Sequence, residues 1–325
     1  MPNNIRMRIL VFEYITGGGL LDKPLPQSLS AEGDMMLQAL VKDLTLLPGI
    51  DVCITRDARL SSLSLPIHEF RLHFGDCIHD VLQSKEIDAV WPIAPETQNI
   101  LEQVSQRVLD AGKILLNSPP SAVSIAASKK RTAERLSIHG ISVVPTYSEL
   151  DEYVNWSGEW IAKPDDGVGC EGIQIFDTLI DALRKAPQKI YQPYLPGSDV
   201  SLSMICSNGG AQLLSVNRQY IVRMRDSLVL THCVCNAITE DLEKYSDLAN
   251  KITQAIPDLW GYVGVDLLVN GEDIKVLEIN PRLTSSYAGL AGTLSINPAE
   301  QVLKLQAYNL EKVSNISILD RYCGA

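Results

Sequence analysis

The segment Gly261 to Arg282, GYVGVDLLVNGEDIKVLEINPR, sets carboxylates inside apolar strands. Two strand-like runs flank Asn270-Gly271, a dipeptide that favours tight hairpins, so the segment predicts an antiparallel pair. With a three-residue loop Asp266 lies directly opposite Glu278; with a four-residue loop it sits one step diagonal. Side chains alternate along a strand, so Glu278 and Asn280 share a face and Asp266 can join them. Burying such acids is costly unless they are paired or bound to a cation. Oxygen-only ligands without His or Cys suit Mg²⁺ held together with substrate phosphates. The competing reading, two exposed strand ends with incidental charge, is weaker because a single carboxylate interrupts each apolar run.

A cation bound with phosphates needs basic groups and a covering loop. Residues 160–173, WIAKPDDGVGCEGI, deliver Lys163 from a strand into a loop containing Gly167, Gly169 and Gly172. Backbone amides of such a loop can fold over phosphates while the lysine meets their oxygens; a plain Gly-rich hairpin turn is the alternative. The earlier glycine cluster, FEYITGGGL at 12–20, fails as a nucleotide cradle. It lacks the third glycine of GxGxxG and the Lys-Ser/Thr of a P-loop, and the next helix is expected only near Ser30, after Pro24 and Pro26. It is left as a loop, or as a mobile wall of another ligand's pocket.

Strand and helix patterns alternate through the first third: strands at 7–12, 50–55, 88–94 and 113–116, helices at 30–47, 78–82 and 96–111, the last capped by Gly112. That order predicts an open parallel α/β unit. Asn117-Ser118-Pro119-Pro120 punctuates it, giving a first domain over 1–117. A single helix over 122–139 and short strands at 143–147, 159–163, 172–176 and 189–192, with a helix at 178–185, predict an α+β unit over 118–196. The remainder, 197–325, reads as strands at 200–205, 212–218, 228–235, 261–269 and 274–279 with helices at 240–256 and 298–310. No internal repeat is visible.

Charge and cysteines narrow the function. With 28 Lys+Arg against 39 Asp+Glu, the net charge of -11 argues against a nucleic-acid surface. Seven scattered cysteines lack paired CxxC spacing and are expected to be reduced; Cys233 and Cys235 fit strand alternation as well as a metal set. No apolar stretch reaches the roughly 18 residues of a membrane span, and the first residues lack a secretory pattern, so a cytoplasmic protein without membrane partners is expected.

Taken together, these motifs resemble the ATP-grasp superfamily of carboxylate-amine ligases, in order over residues 1–310. The resemblance implies an N-terminal α/β (pre-ATP-grasp) domain, a central lid and a C-terminal α+β domain, with ATP held between two α+β units. Ser128-Lys129-Lys130-Arg131-Thr132 is similar to the family's lysine helix, which puts Lys129 on the ATP phosphates, with Lys130 adjacent. Lys163 matches the second ATP lysine, and Gly167 and Gly169 belong to the phosphate loop. Residues 190–199, IYQPYLPGSD, resemble the adenine hinge, which puts Gln192 and Leu195 at the adenine edge and Asp199 at the ribose. Asp266, Glu278, Asn280 and Arg282 match the metal and phosphate residues. An arginine common two residues before the metal aspartate is here Gly264, so Arg218 or Arg223 is expected to supply the missing charge.

The implied chemistry is phosphorylation of a carboxylate by ATP and displacement of phosphate by an amine, with one or two Mg²⁺ and Mn²⁺ able to substitute. Two lysines and an arginine meet its needs without a side-chain nucleophile. A nicotinamide oxidoreductase would require the missing GxGxxG, and a non-catalytic nucleotide binder would not need the metal ligands. Residues 11–19 and 91–97, VFEYITGGG and WPIAPET, further resemble tyramine-glutamate ligases of methanofuran-type cofactor synthesis. That likeness implies glutamate and an aromatic amine as substrates, and puts Glu13, Gly18, Glu96, Ser285 and Ser286 on the substrate side. Another amino-acid or peptide ligation is the alternative. Homodimerisation is common in the superfamily.

Overall fold

The computed structural model describes residues 6–148 and 156–306. Strands β1 (Met7–Glu13), β2 (Ile50–Asp57), β3 (His68–Leu72), β4 (Ala89–Ile93) and β5 (Ile114–Leu115) form a parallel sheet in the order β3-β2-β1-β4-β5. Helices α1 (Gln27–Thr45), α2 (Ile78–Leu82) and α3 (Ile100–Asp110) connect them. The chain order reverses between β1 and β4, and the crevice beyond the carboxyl ends of such strands is where open α/β sheets bind ligands. Helix α1 starts directly after Pro26, three residues before the expected Ser30, because proline is tolerated at a helix entry. The short β3 is absent from the sequence reading, since HEFRL offers few aliphatic residues.

Helices α4 (Pro120–Ala126) and α5 (Lys129–Ile138) replace the single helix expected at 122–139. The break falls at Ser128, which is extended and whose hydroxyl accepts the Arg131 amide at 3.1 Å as an N-cap. A three-stranded antiparallel sheet, β7-β6-β8, follows from β6 (Trp160–Lys163), β7 (Gln174–Phe176) and β8 (Ile190–Pro193), with α6 (Leu179–Lys185) on its flank. Its own small core gathers Trp160, Ala162, Ala182, Ala186 and Tyr191. The strand expected at 143–147 is reduced to isolated bridges at Val143 and Tyr147.

The third sheet, β11-β10-β9-β12-β13, is antiparallel: β9 (Ser198–Ser207), β10 (Gly210–Met224), β11 (Ser227–Ile238), β12 (Gly261–Asn270) and β13 (Asp273–Asn280). Helix α7 (Leu242–Ala255) covers one face together with α4 and α5, whose Ala122, Ala126 and Leu136 share a core with Val200, Leu202, Val263 and Val265. The segment 118–141, grouped with the lid in the sequence reading, is therefore packed on the C-terminal sheet. Helix α8 (Tyr287–Leu290) and the helical residues 298–306 lie in a second core that joins Ile9, Leu37, Leu40 and Leu44 to Tyr262, Leu283 and Val302. The first and third sheets thus share one core. Of the expected helix 298–310, residues 307–310 lie outside the described residues. No described helix is long and apolar enough to cross a membrane.

Hairpin β12–β13 reaches the expected facing acids by a different route. Asn270 pairs with Asp273, so the loop is the two-residue Gly271-Glu272, with Gly271 at φ 60°. Continued unchanged, that register would set Asp266 opposite Leu277 and turn Glu278 to the other face. A register shift between Asp266 and Leu267 makes Leu277 an extra residue, and Asp266 then pairs with Glu278. The bulge is what brings the two carboxylates together.

Candidate active site

One face of the third sheet carries the candidate site as a continuous track. At one end, a cleft of about 310 Å³ is bounded by Tyr194, Leu195, Gly197, Asp199, Ile221 and Leu268. Burial pushes the Asp199 carboxyl up to about 6. Gln192 lies buried on β8, its Nε2 donating to Thr146 Oγ1 at 2.8 Å.

The middle of the track holds the charges. Lys129, first residue of α5, donates from Nζ to Glu278 Oε2 at 2.9 Å and to the Gly167 carbonyl. Asp165 secures that helix end: it accepts the Ser128 hydroxyl at 2.6 Å and the Lys130 amide at 2.9 Å. Asp165 thus sets a carboxylate at the start of α5 through space. Lys130 turns away to Ser148. Lys163 ends β6 beside Glu278 and Asp266; its ammonium has no hydrogen-bond or ion-pair partner among the described residues, and burial lowers it to about 8.

Asp266 and Glu278 face each other with their charges unequally supported. Burial and then the Glu278 charge push Asp266 up to about 7. Burial works against Glu278 too, but Lys129 and Lys163 outweigh it and hold its carboxyl below the ordinary value. Asn280 Nδ2 donates to Asp266 Oδ2 at 3.1 Å and Gln219 Nε2 to Oδ1 at 2.9 Å. Two acids that cannot both ionise easily, beside an amide oxygen, form an oxygen-only donor set that fits a hard divalent cation. No group of three or more His, Cys, Asp or Glu gathers among the described residues, so such a cation would draw further oxygens from phosphates.

At the other end the track meets the switch point of the first sheet. Glu96, just past β4, accepts Arg282 Nε at 3.0 Å and Nη2 at 2.9 Å on Oε2, while its Oε1 is buried without a partner. Burial opposes the Arg282 charge, but Glu96 outweighs it and raises that group. Thr97 Oγ1 donates to the Asp166 carbonyl at 2.9 Å, and the Gln98 amide to Asp166 Oδ2 at 2.8 Å. The expected helix at 96–111 is therefore broken at its start: residues 97–99 form a 3-10 turn with Gln98 and Asn99 at positive φ, which aims those donors at the phosphate loop.

Several expected site residues are engaged by neighbouring groups of the protein. Glu13 is buried inside its own turn, Oε1 accepting the Ile15 amide at 3.1 Å and Oε2 the Thr16 amide at 2.6 Å and hydroxyl at 2.7 Å. It organises the Gly17–Gly19 loop rather than facing a ligand. That loop is tied at many points, including the Asp57 amide on the Thr16 carbonyl at 2.7 Å and Arg59 on the Leu20 and Lys23 carbonyls, each at 2.7 Å. Gly18 packs there on Leu72 at φ 103°. Ser286 is buried among the hydroxyls of Ser203, Thr284 and Tyr262, and Ser285 bonds Glu32 of α1, whose charge also acts on Arg282.

Arg218 is also corrected. It pairs in register with Val200, whereas its neighbour Asn217 pairs with Ser201, the cross-strand partner of Asp266. Alternation turns Arg218 to the opposite face, the one that α4, α5 and α7 cover, where its own side chain is exposed. Arg223 is engaged with Glu159 through two 2.8 Å bonds. The residue that reaches Asp266 is Gln219, and the signal for it was the polar period-two run Ser215, Asn217, Gln219.

Residues 126–286 match the ATP-grasp domain family and residues 50–123 the pre ATP-grasp 3 domain. A tyramine–L-glutamate ligase of Methanocaldococcus jannaschii is 26% identical over 310 residues, covering 94% of this chain and 90% of its own length. One of Methanocaldococcus fervens is 28% identical over 304 residues, covering 91% and 93%. Among solved structures, an ATP-grasp superfamily protein from Archaeoglobus fulgidus shares the fold, with a TM-score of 0.70 at 21% identity over 92% of this chain and 88% of its own.

Proposed function

This chain is an ATP-grasp protein, a pre-ATP-grasp domain joined to an ATP-grasp domain, and from that premise we propose that it is an ATP-dependent ligase joining L-glutamate to tyramine or a related aromatic amine. The observation that carries the reading is the juxtaposition of Lys129, Lys163, Asp266 and Glu278 with the Arg282–Glu96 pair at the switch point. Relatives that carry the tyramine–L-glutamate name over nine-tenths of their length support the substrate pair.

Lys129 and Lys163 would take the oxygens of the ATP phosphates, with amides of the Gly167–Gly169 loop over them, while Leu195, Gln192 and Asp199 hold the nucleoside. Asp266, Glu278 and Asn280 would hold Mg²⁺, or Mn²⁺ in its place. Such a cation neutralises phosphate charge and polarises the transferring group. A glutamate carboxylate oxygen attacks the terminal phosphorus and ADP leaves; Arg282 offsets the charge that develops on the phosphoryl and acyl oxygens. The amine nitrogen then attacks the acyl carbon and inorganic phosphate departs. Glu96 Oε1 is the oxygen available to accept a hydrogen from the incoming ammonium, whose proton must leave before attack.

Coupled ADP-release assays with glutamate and a panel of amines, with the product weighed by mass spectrometry, test this. ADP release dependent on both glutamate and an aromatic amine, with the amide as product, is expected. Release independent of glutamate, with another carboxylate as substrate, would discard the substrate pair.

A further inference from the structure

We infer that Gln219 is the positioning residue of the metal-binding aspartate, orienting Asp266 by a neutral amide where the sequence leads one to look for a cation. The inference rests on the metal assignment above. Asp266 accepts one amide on each oxygen, Gln219 on Oδ1 and Asn280 on Oδ2. A carboxylate has about four lone-pair sites, so this pattern fixes the plane of the group and leaves one site on each oxygen for a cation.

The two amides have different tasks. Asn280 belongs to the donor set; giving its NH₂ to Asp266 leaves its carbonyl oxygen as a ligand. Gln219 gives its NH₂ to a ligand oxygen from two strands away, the arrangement by which partners behind a metal site hold its ligands. A guanidinium there would orient the carboxylate equally well but cancel the charge a cation needs. The amide orients without cancelling it. Gly264 accords with this: a Cβ there would lie 2.7 Å from Thr284 Cγ2, so no long side chain fits two residues before Asp266.

The strand that carries Gln219 is anchored beside it. Asn217, its same-face neighbour, donates to Ser201 Oγ at 3.2 Å and Ser203 Oγ at 3.1 Å, and accepts the Ser215 hydroxyl at 2.9 Å and the Asn236 amide at 3.0 Å. Cys233 is its register partner on β11. The strand is therefore fixed on both sides where the Gln219 side chain leaves it.

Gln219→Met keeps length and removes the donor; Gln219→Asn keeps the amide but falls one methylene short. Electron paramagnetic resonance titration of free Mn²⁺, with protein saturated by a non-hydrolysable ATP analogue, reads the site without turnover. Both variants are expected to bind Mn²⁺ about tenfold more weakly, with nucleotide affinity in the absence of divalent cation unchanged. Either variant carries the test if the other fails to fold. Wild-type Mn²⁺ affinity in the variants, alongside a weakened Asp266→Asn control, overturns the role of Gln219. Wild-type affinity in Asp266→Asn as well overturns instead the metal assignment beneath it.

Discussion

Glu278→Gln is expected to lower turnover by roughly a thousandfold while leaving the protein folded. Lys129 and Lys163 hold the Glu278 carboxyl below its ordinary value against its burial, and it meets Lys129 at 2.9 Å. Its charge is the one that would hold both the cation and the phosphate-binding lysine in register, and such contacts matter most when charge spreads over a transferring phosphoryl group. Removing one partner of a buried ion pair usually costs stability, yet this site has a compensation. Asp266 is raised by burial and then by the Glu278 charge. Deleting that charge lets Asp266 ionise more readily beside Lys163, and Glu96 and Asp165 still act on Lys129. Turnover and thermal unfolding measured together check this; near-normal turnover would remove Glu278 from the reaction.

Lys163→Met is expected to weaken ATP binding about tenfold to a hundredfold, the range of one or two charge-assisted hydrogen bonds. The thermal midpoint should hold or rise. Lys163 is buried without an ion-pair partner among the described residues and is lowered by that burial, so its charge costs the empty protein stability. Methionine fills the same volume without the charge. Titration calorimetry and thermal melts distinguish the cases: unchanged ATP affinity would take Lys163 out of the nucleotide site, and a large fall in midpoint would make it structural.

How far the sequence can be read depends on which physical rule places a residue. The acids of β12 and β13 are legible because each interrupts an apolar run and period-two alternation fixes its face. The route that joins them is not, since a bulge at Leu277 changes register by one residue and leaves no compositional trace. Arg218 misleads because charge suggests it; the alternation of Ser215, Asn217 and Gln219 points to the amide instead. Glu13 precedes a glycine-rich loop and so resembles a pocket acid, but its oxygens are consumed by amides two and three residues on, a local contact that pattern alone does not reveal. Ser128 is the opposite case, an N-cap residue type inside an apparently continuous helix, and its signal was present.

The most direct test of an acyl-phosphate ligase is the fate of the carboxylate oxygen. Wild-type protein is given ATP, tyramine and L-glutamate whose carboxylate oxygens are enriched in oxygen-18, and the phosphate and nucleotide products are analysed by mass spectrometry. ADP and inorganic phosphate carrying one labelled oxygen are predicted, because the oxygen that attacks phosphorus leaves with it. Unlabelled phosphate, or AMP with pyrophosphate, would contradict the account.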